Sequence, residues 1–584
     1  MQPNNPLGGP DIKRMILAMV LAMLTLVGWQ YFYERPRMQA NPPAAQAAPL
    51  KQAPALAHQE IATEQPMVDT APEIAIRSDR LHGSISLRGA RIDDLTLAQY
   101  RETIAEDSPE VRLLSPASSE LPYFVETGLL PESPSVATPN AQTLWTADSD
   151  VLTPEKPVTL RWNNGQGLVF EKHIALDDAY MFTITTTVKN NAAAPVTLYP
   201  YGLVSRAYDD SGEHIYFMHE GPLGVMDDVL NDVTYESLRD DGTQKFGNVK
   251  GWVGITDKYW LTAVIPGPKT RFDAQFIHRD PTDGHDRYQA DLRADPITVP
   301  AQESASSELR VFAGAKEVNL LDAYSMQYNI PLFDRAVDFG SLYFLTKPIF
   351  LVLSYFNGIV GNFGVAILLL TVCIKILLFP LASKSMTAMA QMKLLTPKMV
   401  ELRDRHKDDK MKMNQEVIAL YKREGVNPMG GCLPILLQIP VFFALYRVLY
   451  TTLEMRHAPF FGWVHDLSAP DPTTVWNLFG LLPYSTDFLP VFLNIGLWPL
   501  IMCATMVIQQ RLNPKPTDEV QAMVMAWMPF IFLFMFSGFA VGLVIYWAWN
   551  NVLTILQQLY INAKLEKKGL REPKAKTKTK AKAG

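Results

Sequence analysis

The sequence predicts a multi-domain membrane protein. Its parts are an α-helical bundle of five spans plus an N-terminal anchor helix, a large all-β sandwich domain outside the cytoplasm, and a cytoplasmic helical hairpin. Three observations predict it. The mean hydropathy of +0.02 over 584 residues averages two unlike halves. One is a polar, strand-patterned stretch from 34 to about 335, and the other a series of apolar runs from 336 to 563. The net charge is −6, yet Lys and Arg crowd into 384–423 and into the C-terminal tail. Finally, Lys375 stands inside the apolar run Val365 to Leu381, where a lysine at mid-depth costs roughly 2.5–3.5 kcal/mol on insertion scales.

Taken in order, residues 1–11 are a cytoplasmic N-terminus and 12–33 an uncleaved transmembrane anchor. The anchor is long enough to span and ends in Trp29, Tyr31, Phe32 and Tyr33. A signal peptide would have a shorter apolar core, about 7–15 residues, and a small-residue cleavage site. Residues 34–73 form a Pro/Ala-rich linker.

Residues 74–335 read as a β sandwich. Alternation runs through Ser84–Leu87, Gly167–Leu176 and Phe182–Val188, with turn signals at Asn163-Asn164-Gly165 and Lys189-Asn190-Asn191. His173, His214 and His219 lack metal-ligand spacing and read as ordinary histidines. The domain has no G-x-S-x-G, no H-E-x-x-H and no phosphate-binding glycine loop, so no enzyme, cofactor or metal is expected. The three cysteines, Cys373, Cys432 and Cys503, all lie in apolar stretches, which excludes a disulfide framework in the polar half.

Residues 336–357 contain Lys347-Pro348 and read as an amphipathic helix at the membrane interface. Spans follow at 358–381, 430–452, 491–510, 522–539 and 541–561. Charge orients them. Residues 384–423 carry ten Lys or Arg, the 453–490 loop only Arg456, the 511–521 loop Arg511 and Lys515, and the tail after Ile561 nine. The positive-inside rule then puts the hairpin at 382–429, the 511–521 loop and the 562–584 tail in the cytoplasm. The 453–490 loop and the β domain lie on the other side.

The hairpin has two charged helices, 384–408 and 411–424, and a run of methionines that includes Met386, Met389 and Met392. A flexible Met-rich face accepts varied apolar sequences, or simply zips a hairpin together. Asn427-Pro428 and Gly430-Gly431 form a sharp entry into the next span. Thr371 and Lys375 share one helix face, while Gln438, Asn550, Asn551, Gln557 and Gln558 bring amides into neighbouring spans. Such amides serve as interhelical glue or line a cavity. Lys375 can snorkel to the interface or sit in water. None of the five spans contains an Asp or Glu to pair with it, which favours a hydrated cavity open to the cytoplasm.

Gly425-Val-Asn-Pro-Met-Gly-Gly-Cys-Leu-Pro434 resembles the Asn-Pro-x-Gly-Gly-Cys-x-Pro signature of the YidC/Oxa/Alb family of membrane protein insertases. His465-Asp-Leu-Ser-Ala-Pro-Asp-Pro472, Gly542-Leu-Val-Ile-Tyr-Trp547 and Asn550-Asn551 followed by Gln557-Gln558 carry the same resemblance. Trp252 to Trp260 resembles the family's Gram-negative periplasmic domain, and Asn513-Pro514 with Ala526-Trp527-Met528-Pro529 looks alphaproteobacterial.

The resemblance implies an insertase and chaperone of the bacterial inner membrane, with the β domain in the periplasm. It would act on nascent integral membrane proteins, alone or with the Sec translocon (SecYEG and SecDF). It also implies a hydrophilic groove whose positive charge is Lys375, where arginine is usual, with Thr371, Ile439, Phe442, Tyr546 and Trp547 contacting substrate. Ala540-Val541-Gly542 departs from the family in lacking a proline before the glycine. Lys574, Lys576, Lys578, Lys580 and Lys582 in the tail suit ribosomal RNA or anionic membrane lipids equally. The rival functions are a secondary transporter or channel with an intramembrane anion site, and an assembly scaffold working through the β domain.

Overall fold

A computed structural model describes residues 71–209, 218–280, 285–406, 409–425, 433–482, 486, 488–512 and 519–567. The expected anchor, most of the linker, His214, the turn at Asn427, Pro428, Gly430 and Gly431, Cys432, and the tail lysines lie outside them. The chain divides into two compact units, residues 1–341 and 342–584.

The first unit is built on two β-sheets of eleven and nine strands among the described residues. In the larger sheet, the long strand Val196–Tyr208 runs antiparallel between Tyr123–Pro131 and Asp286–Ala294. In the smaller, Met181–Asn190 runs between Leu168–Leu176 and Ser304–Ala315. One pairing is parallel, Glu73–Arg77 with Val151–Leu152.

The sheets face each other. Tyr123 Oη of one donates to the Ile255 carbonyl of the other at 3.3 Å. A Cβ on Gly202 would come within 2.6 Å of Val264 across the gap. Inward residues such as Leu168, Phe170, Ile174 and Leu176 are buried and alternate with more exposed ones, the period-two pattern of a half-buried strand.

The interior also holds charge. Lys172 occupies an inward position of that same strand and donates from Nζ to the Thr127 carbonyl at 2.6 Å, tying one sheet to the other. Burial pushes its amine down to about 8. Arg91 Nε and Tyr201 Oη both donate to Glu126, at 3.0 and 2.6 Å. Lys316 Nζ donates to Thr256 Oγ1 and the Asp257 carbonyl, and burial pushes its amine down to about 8 as well.

Among the described residues two α-helices decorate this unit: α1, Tyr235–Asp241, capped by Thr234, and α2, Val318–Gln327. The N-cap residue of α2, Glu317, accepts from Arg80, Tyr100 and Tyr180 at 2.7, 3.1 and 3.1 Å, which fastens the helix to the sandwich. His173 lies near Thr159 on the surface and His219 is largely enclosed, its ring 3.1 Å from the Pro222 carbonyl.

The second unit is helical. Helix α3, Tyr343–Val360, contains Pro348 and stops at Gly361, whose φ of +67° is the left-handed conformation that ends helices. Asn362 Oδ1 then accepts from Val365 N at 3.0 Å to start α4, Phe363–Arg405.

At 43 residues, α4 merges the expected span and the first hairpin arm into one helix, roughly 64 Å long at 1.5 Å per residue. The break expected near 381–384 is absent. Pro380 lies inside the helix, and the Lys, Met, Ala and Gln residues that follow are strong helix formers. Asp409 Oδ1 caps α5, Lys410–Arg423, which returns along α4 with a Lys398–Glu424 bridge at 2.9 Å.

The remaining helices are α6, Leu433–Thr451; α7, Leu497–Leu512; α8, Glu519–Phe536; and α9, Val541–Lys567. Helix α7 begins later than expected because 491–493 form a 3₁₀ turn, and α9 runs six residues beyond the expected end at 561. By length and composition, Tyr343–Val360 and Phe363–Met392 can each cross a membrane, and Ala522–Phe536 is a shorter apolar helix.

Candidate functional site: a cavity among three helices

The helical unit forms a small cavity of about 40 Å³, open at its mouth. Its walls come from α4 (Thr371, Ile374, Lys375, Leu378, Leu381, Ala382), α6 (Gln438, Val441) and α9 (Tyr546, Asn550, Gln557). The spacing explains the grouping. Thr371, Lys375 and Leu378 recur on one face of α4, and Tyr546, Asn550 and Gln557 on one face of α9. Thr371 and Asn550 are buried polar residues at 2% and 8% exposure. Thr371 satisfies its own hydroxyl by donating to the Ile367 carbonyl at 2.7 Å. Gln438 of α6 and Tyr546 of α9 both face the cavity.

Lys375 turns onto α9. Its Nζ donates to Thr554 Oγ1 at 2.8 Å, while the Thr554 hydroxyl donates to the Asn550 carbonyl at 2.7 Å. The threonine therefore offers the ammonium a lone pair and nothing more. Among the described residues no carboxylate makes an ion pair with Lys375, in line with spans that contain no Asp or Glu. An ammonium carries three donors. With one protein acceptor in the cavity, the remaining two suit water or an anionic or carbonyl-bearing guest.

The other amides divide between the two roles considered for them. Asn551 Nδ2 donates to Thr505 Oγ1 at 3.1 Å and Gln558 Nε2 to the Leu512 carbonyl at 3.3 Å, so both join α9 to α7. Gln557 Nε2 donates to the Lys375 carbonyl at 3.4 Å and Trp549 Nε1 to the Leu368 carbonyl at 3.2 Å, joining α9 to α4. Asn550 faces the cavity.

Thus Thr371, Lys375, Gln438, Tyr546 and Asn550 come together, and Ile439, Phe442 and Trp547 stand outside the cavity lining. Ile439 is 42% exposed. Phe442 and Trp547 meet edge to face at 4.9 Å, in an aromatic cluster with Phe532 and Phe536. Met386, Met389 and Met392 lie half-buried along α4 beyond the cavity, and in the hairpin Met399 Sδ accepts from Tyr421 Oη at 3.1 Å. Thr554 is the residue that reading the sequence missed; its signal was its i+4 spacing from Asn550.

Residues 73–352 match the family described as YidC periplasmic domain, and residues 355–568 the family described as 60Kd inner membrane protein. The membrane protein insertase YidC of Rickettsia felis is 47% identical over 561 residues, covering 94% of this chain and 99% of that protein. Its counterpart in Rickettsia bellii is 47% identical over 564 residues, covering 95% and 100%. A crystal structure described as active YidC insertase with the first transmembrane domain resolved aligns with 84% of this chain and 92% of its own, at 18% identity and a TM-score of 0.35. With one or other family matched along most of its length and relatives so similar from end to end, the chain belongs to the YidC family of membrane protein insertases.

Proposed function

We propose that this protein inserts integral membrane proteins into the bacterial inner membrane, with the Lys375 cavity as the place where a substrate's polar part is held. The observation that carries the reading is the lone ammonium: Lys375 sits at a mainly apolar cavity with Thr554 as its protein hydrogen-bond partner and no carboxylate in any span. A nascent segment enters from the charged-hairpin side, and water and Lys375 stabilise its polar or acidic flank. Its apolar part moves sideways into lipid, where burial is favourable at about 25 cal/mol per Å². No covalent step is needed.

The topology suited to this has six spans, the β domain and the 453–490 loop in the periplasm, and both termini in the cytoplasm. In that reading Ile439, Phe442 and Trp547 line the substrate's path towards lipid. Met386, Met389 and Met392 receive the substrate first, and the tail lysines bind ribosome or lipid. Work beside the Sec translocon, including a chaperone role, belongs to the same proposal.

The test uses purified protein in liposomes and a small one-span or two-span membrane protein as substrate. Insertion above that of empty liposomes supports the reading, and insertion equal to it refutes it. Flux of small anions without insertion would instead support a transporter or channel.

A further inference from the structure

We propose that the turn at 474–482 is a lipid anchor, whose apolar side chains enter the outer leaflet of the bilayer among phospholipid acyl chains just below the headgroups. The proposal rests on the topology given above, with α6 and α7 as spans and the loop between them on the periplasmic side. The base of the turn is fixed to the helical unit. Val475 N donates to the Ile495 carbonyl at 3.0 Å and Trp476 Nε1 to the Leu493 carbonyl at 2.7 Å. The Val475 side chain packs with Leu500 and Val507 of α7 on a buried cluster of Ile495, Cys503 and Leu533, the last of these from α8. The turn is therefore seated at the start of α7.

Beyond that base the turn is apolar and bare. Trp476, Leu478, Phe479, Leu481 and Leu482 are all exposed, Leu481 at 82%. No charged residue occurs from Pro472 to Thr486. The backbone holds this arrangement against its own preference: Leu478 and Phe479 have φ of +52° and +60°, a region that disfavours residues with a Cβ. The N–H groups of five consecutive residues are bonded inside the turn. Leu478 N donates to the Val475 carbonyl (3.3 Å), Phe479 N to the Thr474 carbonyl (2.7 Å), Gly480 N to Asn477 Oδ1 (2.9 Å), Leu481 N to the Leu478 carbonyl (3.4 Å) and Leu482 N to the Asn477 carbonyl (3.0 Å). Backbone donors without partners are costly to take out of water, and these five have partners of their own.

The helices give the turn a depth to fill. Helix α7 has 16 residues and α8 has 18, about 24 and 27 Å of helix against a hydrocarbon core of about 30 Å. An apolar turn packed on the start of α7 makes up the shortfall at the outer side, and Trp476 is the residue type that favours the membrane–water boundary. The chemistry of the patch fits lipid better than a protein. Protein interfaces pair polar groups around an apolar centre, whereas here the indole N–H and the backbone donors are already used and no charge is offered. Acyl chains ask for apolar surface alone.

The test measures depth in the full-length chain, with Cys373, Cys432 and Cys503 replaced by alanine, in vesicles of phosphatidylethanolamine and phosphatidylglycerol. A fluorescent label is placed in turn on Leu481→Cys, on Ala504→Cys midway along α7, and on Ala105→Cys in the β domain, all three exposed positions. The quenchers are iodide on both sides of the membrane and phospholipids spin-labelled either near the headgroup or at the chain end. The Leu481 label is expected to respond most to the spin label near the headgroup, and at least about fivefold less to iodide than the Ala105 label, as for a group seated roughly 5–10 Å below the surface. The Ala504 label is expected to respond most to the chain-end spin label. Iodide quenching at Leu481 equal to that at Ala105 would overturn the proposal. So would protection from iodide without quenching by either lipid, which would mean that a second copy of the chain covers the turn. An Ala504 label beyond the reach of both lipids would show that α7 does not span, and the proposal would fall with that topology. No substrate is present, so failure of the insertase reading would show in the liposome insertion assay and leave this result unchanged.

Discussion

Lys375 Nζ lies 2.8 Å from Thr554 Oγ1, and that hydroxyl is already committed as a donor to the Asn550 carbonyl. The threonine thus marks the resting position of the ammonium without neutralising it. In a wet cavity water takes over when Thr554 is replaced. Thr554→Val is then expected to change insertion of an acidic-ended substrate by less than about fivefold, the equivalent of roughly 1 kcal/mol. Insertion kinetics in liposomes check this, and a loss as large as that from removing Lys375 would mean the site is dry.

The buried amines of the β domain make its stability depend on pH. Lys172 and Lys316 titrate near 8 when folded and near 10.5 when unfolded. Between these values the unfolded chain binds more protons, so stability rises as pH increases, by an amount on the order of a few kcal/mol. Above 10 the trend reverses, because burial keeps Tyr201 and Tyr235 protonated in the folded domain after they would ionise in the unfolded chain. Thermal unfolding followed by tryptophan fluorescence should show the rise from about pH 8 to about 10, halved in Lys172→Met. A flat profile would contradict it.

Glu126 joins Arg91 and Tyr201 with side chains that are 5% and 7% exposed for the acid and the arginine. Glu126→Gln leaves the guanidinium buried beside a neutral amide. The expected loss of stability is about 3–5 kcal/mol, as for other buried pairs broken from one side. Chemical denaturation of the purified protein measures it.

Two glycines in the β domain should respond very differently to alanine. At Gly251, φ is +139° and a Cβ would lie 1.8 Å from the Val225 carbonyl oxygen of the paired strand. Gly251→Ala should cost about 2–4 kcal/mol, because backbone rather than a flexible side chain must move. At Gly165, φ is +70° and nothing lies within 4 Å. Gly165→Ala should cost only about 1 kcal/mol of backbone preference. The difference in melting temperature between the two variants is the measurement.

Much of this molecule was legible because local patterns and tertiary structure agree. Alternation in Leu168–Leu176 marked a half-buried strand, and the polar residues of α4 and α9 marked a shared face. What stayed hidden depends on partners distant in sequence. Lys172 falls on the apolar face of its strand, yet its acceptor, Thr127, is 45 residues away in the other sheet. The parallel pairing of Glu73–Arg77 with Val151–Leu152 has no local signature. The span at 358–381 and the hairpin helix from 384 prove continuous, because Pro380 is tolerated within α4 and helix formers continue on its far side. Phe442 and Trp547 stand about one turn along α6 and α9 from Gln438 and Asn550. Ring contacts with each other and with Phe532 and Phe536 gather them into a neighbouring cluster, a partnership with no local signature.

The most direct test of the central claim compares Lys375, Lys375→Arg and Lys375→Ala in liposome insertion of a one-span protein with an acidic translocated end. A mechanism that needs a cation, and not the planar fork of a guanidinium, predicts that arginine keeps the activity. Alanine should lower it by at least about tenfold, given the cost of holding an acidic group in the membrane without a counter-charge. Equal insertion by all three would contradict the role assigned to Lys375.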